Sequence, residues 1–334
     1  MKDVAQLAGC HPATVSRALN NVSYVHPETK ARIMEAVTKL NYHPDIIARS
    51  LKKGKRHTIG VVVPNVHLTI FDDIAQSIDT EAREHGYSIL FCHTNDDPHI
   101  ESECLDRLRS GFVDGLIIAS TGRNMSLIRD IHNQGISVVQ IIRSQDESLN
   151  SIVSDYAGGS YDAVNYLYKK GCREIALING PSKGAYALKP YKTRYEGYKK
   201  AVDELGLREI CVYSDGAVNN SRFESGYRCA EKLLDENPKL DAIIAAVDIY
   251  GMAAMKVLKE RNIKVPEKIK IVSLTGFSIG NFLEKSMTSF ELPAQEIGQN
   301  AARMIIQEIE APANKKPSVQ HLTFSASLSE RESS

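Results

Sequence analysis

A short segment near the N-terminus combines hydrogen-bonding side chains at helical spacing. Val15 and Leu19 lie four residues apart, which predicts a helix over residues 13–20 with one inward face. On the same helix, Arg17 can hold a guanine through two hydrogen bonds, and the methyl group of Ala13 suits a thymine methyl. The short side chains suited to phosphate oxygens are Thr14, Ser16 and Asn20. These residue types predict contact with a DNA duplex. An ordinary surface arginine is the alternative for Arg17, and helix surface and C-terminal cap are the alternatives for Ser16 and Asn20.

The charge of the chain is unevenly distributed. The 334 residues contain 41 Lys/Arg and 41 Asp/Glu, so the formal net charge is zero. Residues 1–56 hold ten Lys/Arg against four Asp/Glu, which gives this segment +6 and leaves −6 on the rest. A basic head on an acidic body indicates a polyanion, and therefore nucleic acid, as the partner of the head alone.

Three short helices are predicted in the head. Residues 3–8 form the first, which stops at Gly9, and Pro12 occupies the first turn of the second. The third runs from Pro27 to about residue 40. A helix, a tight turn containing glycine and a second helix form the helix-turn-helix pattern. The inward face of the third helix is predicted to be Ile33, Val37 and Leu40.

From residue 58 onwards, short apolar runs alternate with amphipathic helical patterns. This alternation predicts an α/β body with parallel sheets covered on both faces. More than 270 residues favour two such sheets, each in its own lobe, with a ligand cleft outside the carboxyl ends of the strands. The predicted strands are 58–63, 87–92, 115–119, 137–142, 174–178, 241–247, 270–274 and 321–324.

Several classes of protein are disfavoured by what the sequence lacks. It contains no GxGxxG, GxxxxGK[ST], GxSxG or HExxH motif, so we predict neither an enzyme nor a cofactor. The six cysteines form no CxxC pair, and we expect reduced thiols and no metal site. No run of about 18 apolar residues and no signal peptide is visible, which predicts a cytoplasmic protein without a membrane partner.

The head motifs and the body together resemble one known family. Asp3-Val4-Ala5, Ala8-Gly9, residues 13–20 and Asn41-Tyr42-x-Pro44 are similar to the head of the LacI/GalR family of bacterial repressors, and the resemblance extends over the whole chain. It implies a regulator that binds operator DNA as a homodimer. The implied domains are a helix-turn-helix domain at 1–43, a hinge linker at 44–56 and a periplasmic-binding-protein-like effector and dimerisation domain at 57–330. The implied lobes are about 57–154 with 286–313, and about 155–285 with 314–330.

The resemblance also assigns roles to residues of the head and hinge. Pro12, Ala13 and Arg17 match the base-reading positions of the family's second helix. Leu51, in Ala48-Arg49-Ser50-Leu51, matches a leucine that wedges between base steps in the minor groove. His11 and His26 stand where the family usually has a helix-capping residue, and histidine is a poor N-cap.

For the body, the resemblance implies an effector cleft. The positions that match the family's ligand-binding pattern are Phe71, Arg143, Asp155, Arg194, Asp248 and Ser278. Ser278 stands where an aspartate is usual, while Val247 and Leu292 replace an asparagine and a glutamine. We therefore expect a more apolar cleft, in which the arginines suit a sugar or a sugar acid. The alternative role of Asp155 and Asp248 is to cap the helices that follow them.

The sequence as a whole predicts a sequence-specific transcriptional regulator, a repressor of a carbohydrate-catabolism operon whose operator affinity is controlled by a small-molecule effector. A regulator controlled by a protein partner is the first alternative. A solute-binding protein of a transporter would use the same kind of body but would not need the basic head.

Overall fold

A computed structural model of the chain describes residues 1–20, 24–42, 55–64, 70–184, 187–215, 222–276, 278–312, 315 and 317–334. By its internal contacts the chain separates into two units, Met1–Arg56 and His57–Ser334. This division coincides with the predicted end of the linker at residue 56. We call the first unit the head and the second the body, and describe each by itself.

The head contains three helices: α1 (Lys2–Leu7), α2 (Pro12–Asn20) and α3 (Pro27–Lys39). Gly9, with φ of 63°, lies just beyond α1, where the left-handed backbone favours glycine. Nδ1 of His11 accepts a hydrogen bond from the amide of Ala13 at 3.2 Å, so this imidazole supports the start of α2. His26 makes no such side-chain bond at the start of α3.

The core of the head is small and built from aliphatic side chains of all three helices. Val4, Val15 and Ile33 are fully buried at its centre. The prediction that Leu40 belongs to this core is wrong, because α3 ends at Lys39 and Leu40 is the capping residue, 44% exposed. Ala36 is buried instead, and Val37 packs against the core from its edge.

The body contains two six-stranded sheets, which confirms the predicted α/β class. The first sheet has the order β11-β5-β4-β3-β1-β2, with every described pair parallel. Its strands are β1 (Thr58–Val63), β2 (Ser88–His93), β3 (Gly115–Ile118), β4 (Ser137–Ile142), β5 (Asn150–Ser154) and β11 (His321–Phe324). Its apolar strands form the centre of the first lobe.

The second sheet has the order β12-β10-β9-β8-β6-β7. It is parallel except for the edge strand β12, which runs antiparallel to β10. Its strands are β6 (Ile175–Asn179), β7 (Ile210–Tyr213), β8 (Ala242–Ala245), β9 (Lys270–Ser273), β10 (Thr288–Glu291) and β12 (Ser327–Ser329). The body thus has two lobes, each with a sheet of its own.

Amphipathic helices cover the faces of both sheets. Those of the first lobe are α4 (Ile70–Glu84), α5 (Pro98–Arg109), α6 (Met125–Asn133) and α11 (Ala294–Glu310). Those of the second are α7 (Tyr156–Lys169), α8 (Lys189–Glu204), α9 (Arg222–Glu236), α10 (Asp248–Glu260) and the short 3-10 helix Ser278–Phe282. Helix α4 packs on α11, α7 on α8, and α9 on α10. Among the described residues, no helix is long and apolar enough to cross a membrane.

The chain passes between the lobes at three places, and two of them differ from the predicted boundaries. The segment 286–313 was predicted to belong wholly to the first lobe, but β10 pairs with β9 in the second sheet. The segment 314–330 was predicted for the second lobe, but β11 pairs with β5 in the first sheet. The second and third crossings therefore follow β10 and β11, because each of these strands completes a sheet before the chain leaves it.

Gly197 provides a test of the packing of α7 against α8. A Cβ at this position would overlap the backbone carbonyl oxygen of Ala157, whereas a Cβ at Gly159 of α7 would lie 3.8 Å from the Cβ of Ala326. We expect Gly197→Ala to lower the free energy of unfolding by about 2 kcal/mol through this overlap. Gly159→Ala, the control, should raise it by up to about 1 kcal/mol through helix propensity. Urea unfolding of both variants measures the difference, and equal values would contradict the close approach.

Candidate functional site

The carboxyl ends of the strands in the two lobes face a narrow cavity. Its volume is about 60 Å³, and both lobes line it. Four of the residues predicted from the sequence come together here: Phe71, Arg143, Arg194 and Asp248. Val247 and Leu292, the two apolar replacements, also line it. The cavity therefore combines apolar walls with a few convergent charged groups, which is the usual composition of a small-molecule site.

Arg194 is a buried cation without a counter-charge at hydrogen-bonding distance. It lies on α8, is 4% exposed, and stacks its guanidinium 4.3 Å from the ring centre of Tyr156 and 5.9 Å from that of Tyr191. Within the described ranges it makes no hydrogen bond or ion pair, and its buried Nε has no partner. Burial lowers the pKa of Arg194. A guanidinium held in this way is ready to bind an oxygen-rich or anionic ligand.

Arg143 and Arg222 differ from Arg194 because both pair with one carboxylate. Nη1 of Arg143 donates to Oδ1 of Asp96 at 2.6 Å, and Nη2 of Arg222 donates to Oδ2 at 2.7 Å. Burial alone would raise the pKa of Asp96, but the two guanidinium groups outweigh it and lower the pKa. Asp96 follows β2 in the first lobe and Arg222 begins α9 in the second. The shared carboxylate therefore joins the lobes.

Asp248 lines the cavity itself. It is 4% exposed, and its carboxylate accepts hydrogen bonds from the hydroxyl groups of Ser273 and Thr275, the latter at 2.6 Å. Burial raises the pKa of Asp248, and these hydroxyl groups oppose the rise. Three guanidinium groups therefore line the cavity with Asp248, whose charged form is disfavoured by burial, while Asp96 pairs with two of these groups without lining the cavity. The cavity carries a net positive charge.

The backbone is strained where it delivers Arg143 to the cavity. Ile142, at the end of β4, has φ of 64°, which β-branched residues rarely adopt. The amide of Arg143 donates to the carbonyl oxygen of Ile141 at 2.6 Å, which closes a tight three-residue turn. Ile142 and Arg143 both line the cavity. Strain of this kind is concentrated at functional sites, where it fixes the direction of a side chain.

The remaining predicted cleft residues lie elsewhere. Asp155 is exposed and does not line the cavity; its Oδ1 accepts from the amide of Gly158 at 2.8 Å and caps α7. Asp248 does not cap α10, whose N-cap is Val247. Ser278 begins the short 3-10 helix, and its side chain lies outside the described part of the structure. Sequence reasoning missed Asp96 and Arg222, for which no motif gives a signal.

All of the predicted DNA-contacting residues except Leu51 belong to α2. Arg17 and Ala13 are exposed, and Pro12, Thr14 and Ser16 are partly buried, while Val15 and Ala18 turn into the core of the head. The side chain of Asn20 and the whole of Leu51 lie outside the described residues. Helix α2 thus presents its polar positions and Arg17 away from the core. Among the described residues, no group of three potential metal ligands occurs in either unit.

Family models match both units of the chain. Residues 1–45 match the bacterial regulatory proteins of the lacI family. Residues 56–325 match the periplasmic binding proteins and sugar binding domain of the LacI family. The chain belongs to the LacI family. The resemblance identified from the head motifs is therefore confirmed, and the LacI-family head and body correspond to the two units described above.

Individual relatives agree with this assignment over nearly the whole chain. The ribose operon repressor of Halalkalibacterium halodurans is 31% identical over 317 residues, which cover 95% of this chain and 91% of the relative. The regulator RegA of Clostridium acetobutylicum is 32% identical over 342 residues, covering 100% and 98%. The first is named as an operon repressor and the second as a transcriptional regulator, which agrees with the prediction that this member is not an enzyme.

Solved structures show the same architecture. The complex of the transcriptional regulator CelR with cellobiose has a TM-score of 0.74 at 26% identity and covers 100% of this chain and 99% of its own. The lac repressor dimer bound to operator and the anti-inducer ONPF has a TM-score of 0.83 at 22% identity, covering 99% and 97%. The second likeness concerns the fold alone.

Two arginine variants separate a ligand-binding role from a structural one. We expect Arg194→Met to leave the free energy of unfolding unchanged or to raise it by about 1 kcal/mol, because it removes an unpaired buried charge. Arg143→Met should lower the free energy of unfolding by about 2 kcal/mol, because Asp96 loses one of its two partners. Urea unfolding without added ligand measures both. A loss for Arg194→Met as large as that for Arg143→Met would show that Arg194 serves the fold.

Proposed function

We propose that this LacI-family member represses a carbohydrate-catabolism operon by binding its operator as a homodimer, under the control of a sugar or sugar acid bound between the lobes. The observation that carries the effector part is the unpaired guanidinium of Arg194 at the cavity. Keeping a buried cation without a partner lowers stability, and a ligand that supplies oxygen atoms removes this penalty. A protein that binds DNA in a bacterium acts in the cytoplasm, which is the location we propose.

The proposed effector residues are those predicted from the sequence: Phe71, Arg143, Asp155, Arg194, Asp248 and Ser278. The strongest support concerns Arg194, whose buried Nε has no partner among the described residues, while Arg143, Asp248 and Phe71 line the same cavity. Support for Asp155 is weaker, since its carboxylate caps α7. The relatives named above include a ribose operon repressor and a cellobiose-bound regulator, which favours a carbohydrate effector for this chain.

For the head, we propose that Pro12, Ala13 and Arg17 read base edges and that Thr14, Ser16 and Asn20 hold phosphates. The exposure of Arg17 and Ala13 on α2 supports this, since a recognition helix presents such residues to the major groove. We further propose that Leu51 wedges into the minor groove in both copies. Movement of the lobes upon effector binding would then change how the two hinges fit the operator.

A groove with apolar and charged lining on the second lobe suits a second copy of the chain. Its apolar lining includes Met252 and Met255 of α10 and Leu283, and Phe282, the residue before Leu283, is 83% exposed. Seven of the lining residues are charged, among them Lys256 and Lys259. Exposed apolar surface bordered by polar residues is typical of a protein–protein interface, which supports the homodimer.

Arg17→Ala tests base reading by the head. We expect the variant to lose about 1–3 kcal/mol of binding free energy on the operator and to discriminate less at one base pair, because the bidentate contact to guanine is gone. Arg32→Ala removes another exposed charge, from α3, and serves as the control. Fluorescence anisotropy on operator and random duplexes at several salt concentrations measures both. Equal losses for Arg17→Ala on the two duplexes would contradict base reading.

A thermal-shift screen tests the effector. Sugars, uronic acids and sugar phosphates are added to the purified protein, and a ligand of the native state raises the melting temperature by mass action. A ligand identified in this way should change operator binding by the wild type and should leave operator binding by Arg194→Met unchanged. A variant that still responded fully would remove Arg194 from the effector site.

A further inference from the structure

We propose that the effector is an acidic oligosaccharide of two or more units, whose carboxylate enters the cavity at Arg194 while its other units lie in a groove outside. This inference rests on the proposed function and specifies its ligand. The groove, which we call the outer groove, has a volume of about 810 Å³. The residues that matter most in its lining are Thr121, Arg123, Gln145, Lys189, Tyr195 and Tyr213.

The inner cavity and the outer groove differ in volume and therefore suit different parts of the ligand. The inner cavity, of about 60 Å³, has room for a few water molecules and therefore for a carboxylate group, but not for a sugar ring with its hydroxyl groups. The outer groove falls within the range of about 300–1,000 Å³ that is usual for small-molecule sites. Leu188 and Tyr191 line both spaces, so a single ligand can extend from one into the other.

Buried polar side chains hold the loops of the outer groove in place. On the first lobe, Glu101 is fully buried and accepts hydrogen bonds from the amide of Thr121 at 2.7 Å and from its hydroxyl group at 2.9 Å. The same carboxylate accepts from Ser120 and Asn124 at 3.1 and 3.0 Å. Four bonds from one loop to one buried carboxylate give that wall a defined shape before any ligand binds.

Two further buried side chains fix the neighbouring walls. Gln140, 1% exposed, accepts a hydrogen bond from the amide of Gln145 at 2.9 Å. Asn179, also 1% exposed, donates through Nδ2 to the carbonyl oxygen of Tyr191 at 2.9 Å. The outer groove is therefore a preorganised surface contributed by both lobes, and a ligand held in it contacts both.

The chemistry of the outer groove suits a chain of acidic sugars. The rings of Tyr195 and Tyr213 lie 6.2 Å apart, and Tyr213 is 40% exposed. An aromatic ring offers an apolar face and a polar rim, which complements the C–H faces and hydroxyl groups of a pyranose. Among the described lining residues, Lys192 pairs with Glu196 at 3.8 Å, and Arg123 and Lys189 supply two further cations. The positive charge of the inner cavity thus continues outward.

Two contacts between the lobes border the outer groove. Nη2 of Arg123 donates to the carbonyl oxygen of Gly184 at 3.1 Å, and Nζ of Lys189 donates to that of Ser144 at 3.1 Å. Both donors are exposed cations that, among the described residues, bond to neutral carbonyl oxygens and to no carboxylate, so their positive charge can attract an anion in the groove. A ligand that extended past them would hold the two lobes at one separation.

The test compares uronic acids of increasing length on the full-length protein. Galacturonic acid, its dimer and its trimer are titrated by calorimetry, with cellobiose as a neutral dimer of similar length. We expect the acidic dimer to bind at least about tenfold more tightly than the monomer, since only the dimer reaches the outer groove. Tight binding of the monomer alone, or of cellobiose in preference to the acidic dimer, would overturn the proposal.

A pair of tyrosine variants locates the second sugar unit. Tyr195 and Tyr161 both lie partly buried on helices of the second lobe, and each hydroxyl group donates to a surface glutamate, at 2.7 and 2.6 Å. We expect Tyr195→Ala to lower the affinity for the galacturonic acid dimer about tenfold and to leave the affinity for the monomer unchanged. The control Tyr161→Ala should change neither affinity. Equal effects of the two variants on the dimer would overturn the role of the outer groove.

The operator assay separates this inference from the proposed function. If no uronic acid of any length binds, the proposal of an acidic oligosaccharide effector is wrong. Operator binding that depends on Arg17 would still support the proposed regulatory function. If the protein binds the acidic dimer but no operator, the regulatory proposal fails while the ligand assignment holds. We expect the galacturonic acid dimer to release the protein from its operator at a lower concentration than monomeric galacturonic acid does.

Discussion

The guanidinium of Arg194 imposes the central constraint on the body, because a cation removed from water has to be compensated by something. The aromatic faces of Tyr156 and Tyr191 supply part of this compensation, and the chain supplies no carboxylate at hydrogen-bonding distance within its described residues. The neighbouring arginine, Arg143, is fully paired with Asp96. Two buried arginines at one cavity thus have opposite environments, and only one of them has its hydrogen-bonding capacity free.

The position of Asp96 explains how this asymmetry arises. The turn after β2 places Asn95 and Asp96 in the left-handed region, with φ of 53° and 61°, a conformation that short polar side chains tolerate. The turn directs the carboxylate between Arg143 of its own lobe and Arg222 of the other. An ion pair that spans the lobes ties their separation to the electrostatics of the cavity. A ligand that binds there acts on the same charges that hold the lobes together.

Much of this architecture follows from patterns that are local in the sequence. The strands β1, β4 and β11 have the predicted bounds, because each is a continuous apolar or alternating run that ends at a polar residue or a turn. Four strands were not predicted: β5, β7, β10 and β12. Each has five residues or fewer, and β5, β10 and β12 also mix polar with apolar side chains, so the pairing of these three depends on neighbours distant in the chain. The apolar run after β8 was predicted as strand, but Ala246 and Val247 instead lead to the cavity and α10.

Some residues of the candidate site could be predicted from the sequence and others could not. Arg143, Arg194 and Asp248 are found from the sequence because each matches the ligand-binding pattern of the family that the chain resembles. Asp96 and Arg222 are 126 residues apart, and no spacing rule connects them. The helix-capping role of Asp155 was predicted as an alternative, since a carboxylate before a helix satisfies free amides whatever else it does.

The three passages of the chain between the lobes have a consequence for synthesis. Strand β11 completes the first sheet, and the residues that follow complete the second: β12 pairs with β10, and the buried Ser333 exchanges backbone hydrogen bonds with Ile271 and Ser286. Neither sheet is contiguous in the sequence, so a nascent chain emerging from the ribosome can finish neither lobe until residues 321–334 are available. The first sheet is then completed at β11 and the second a few residues later, at β12 and Ser333, so both lobes depend on the same short segment of the chain.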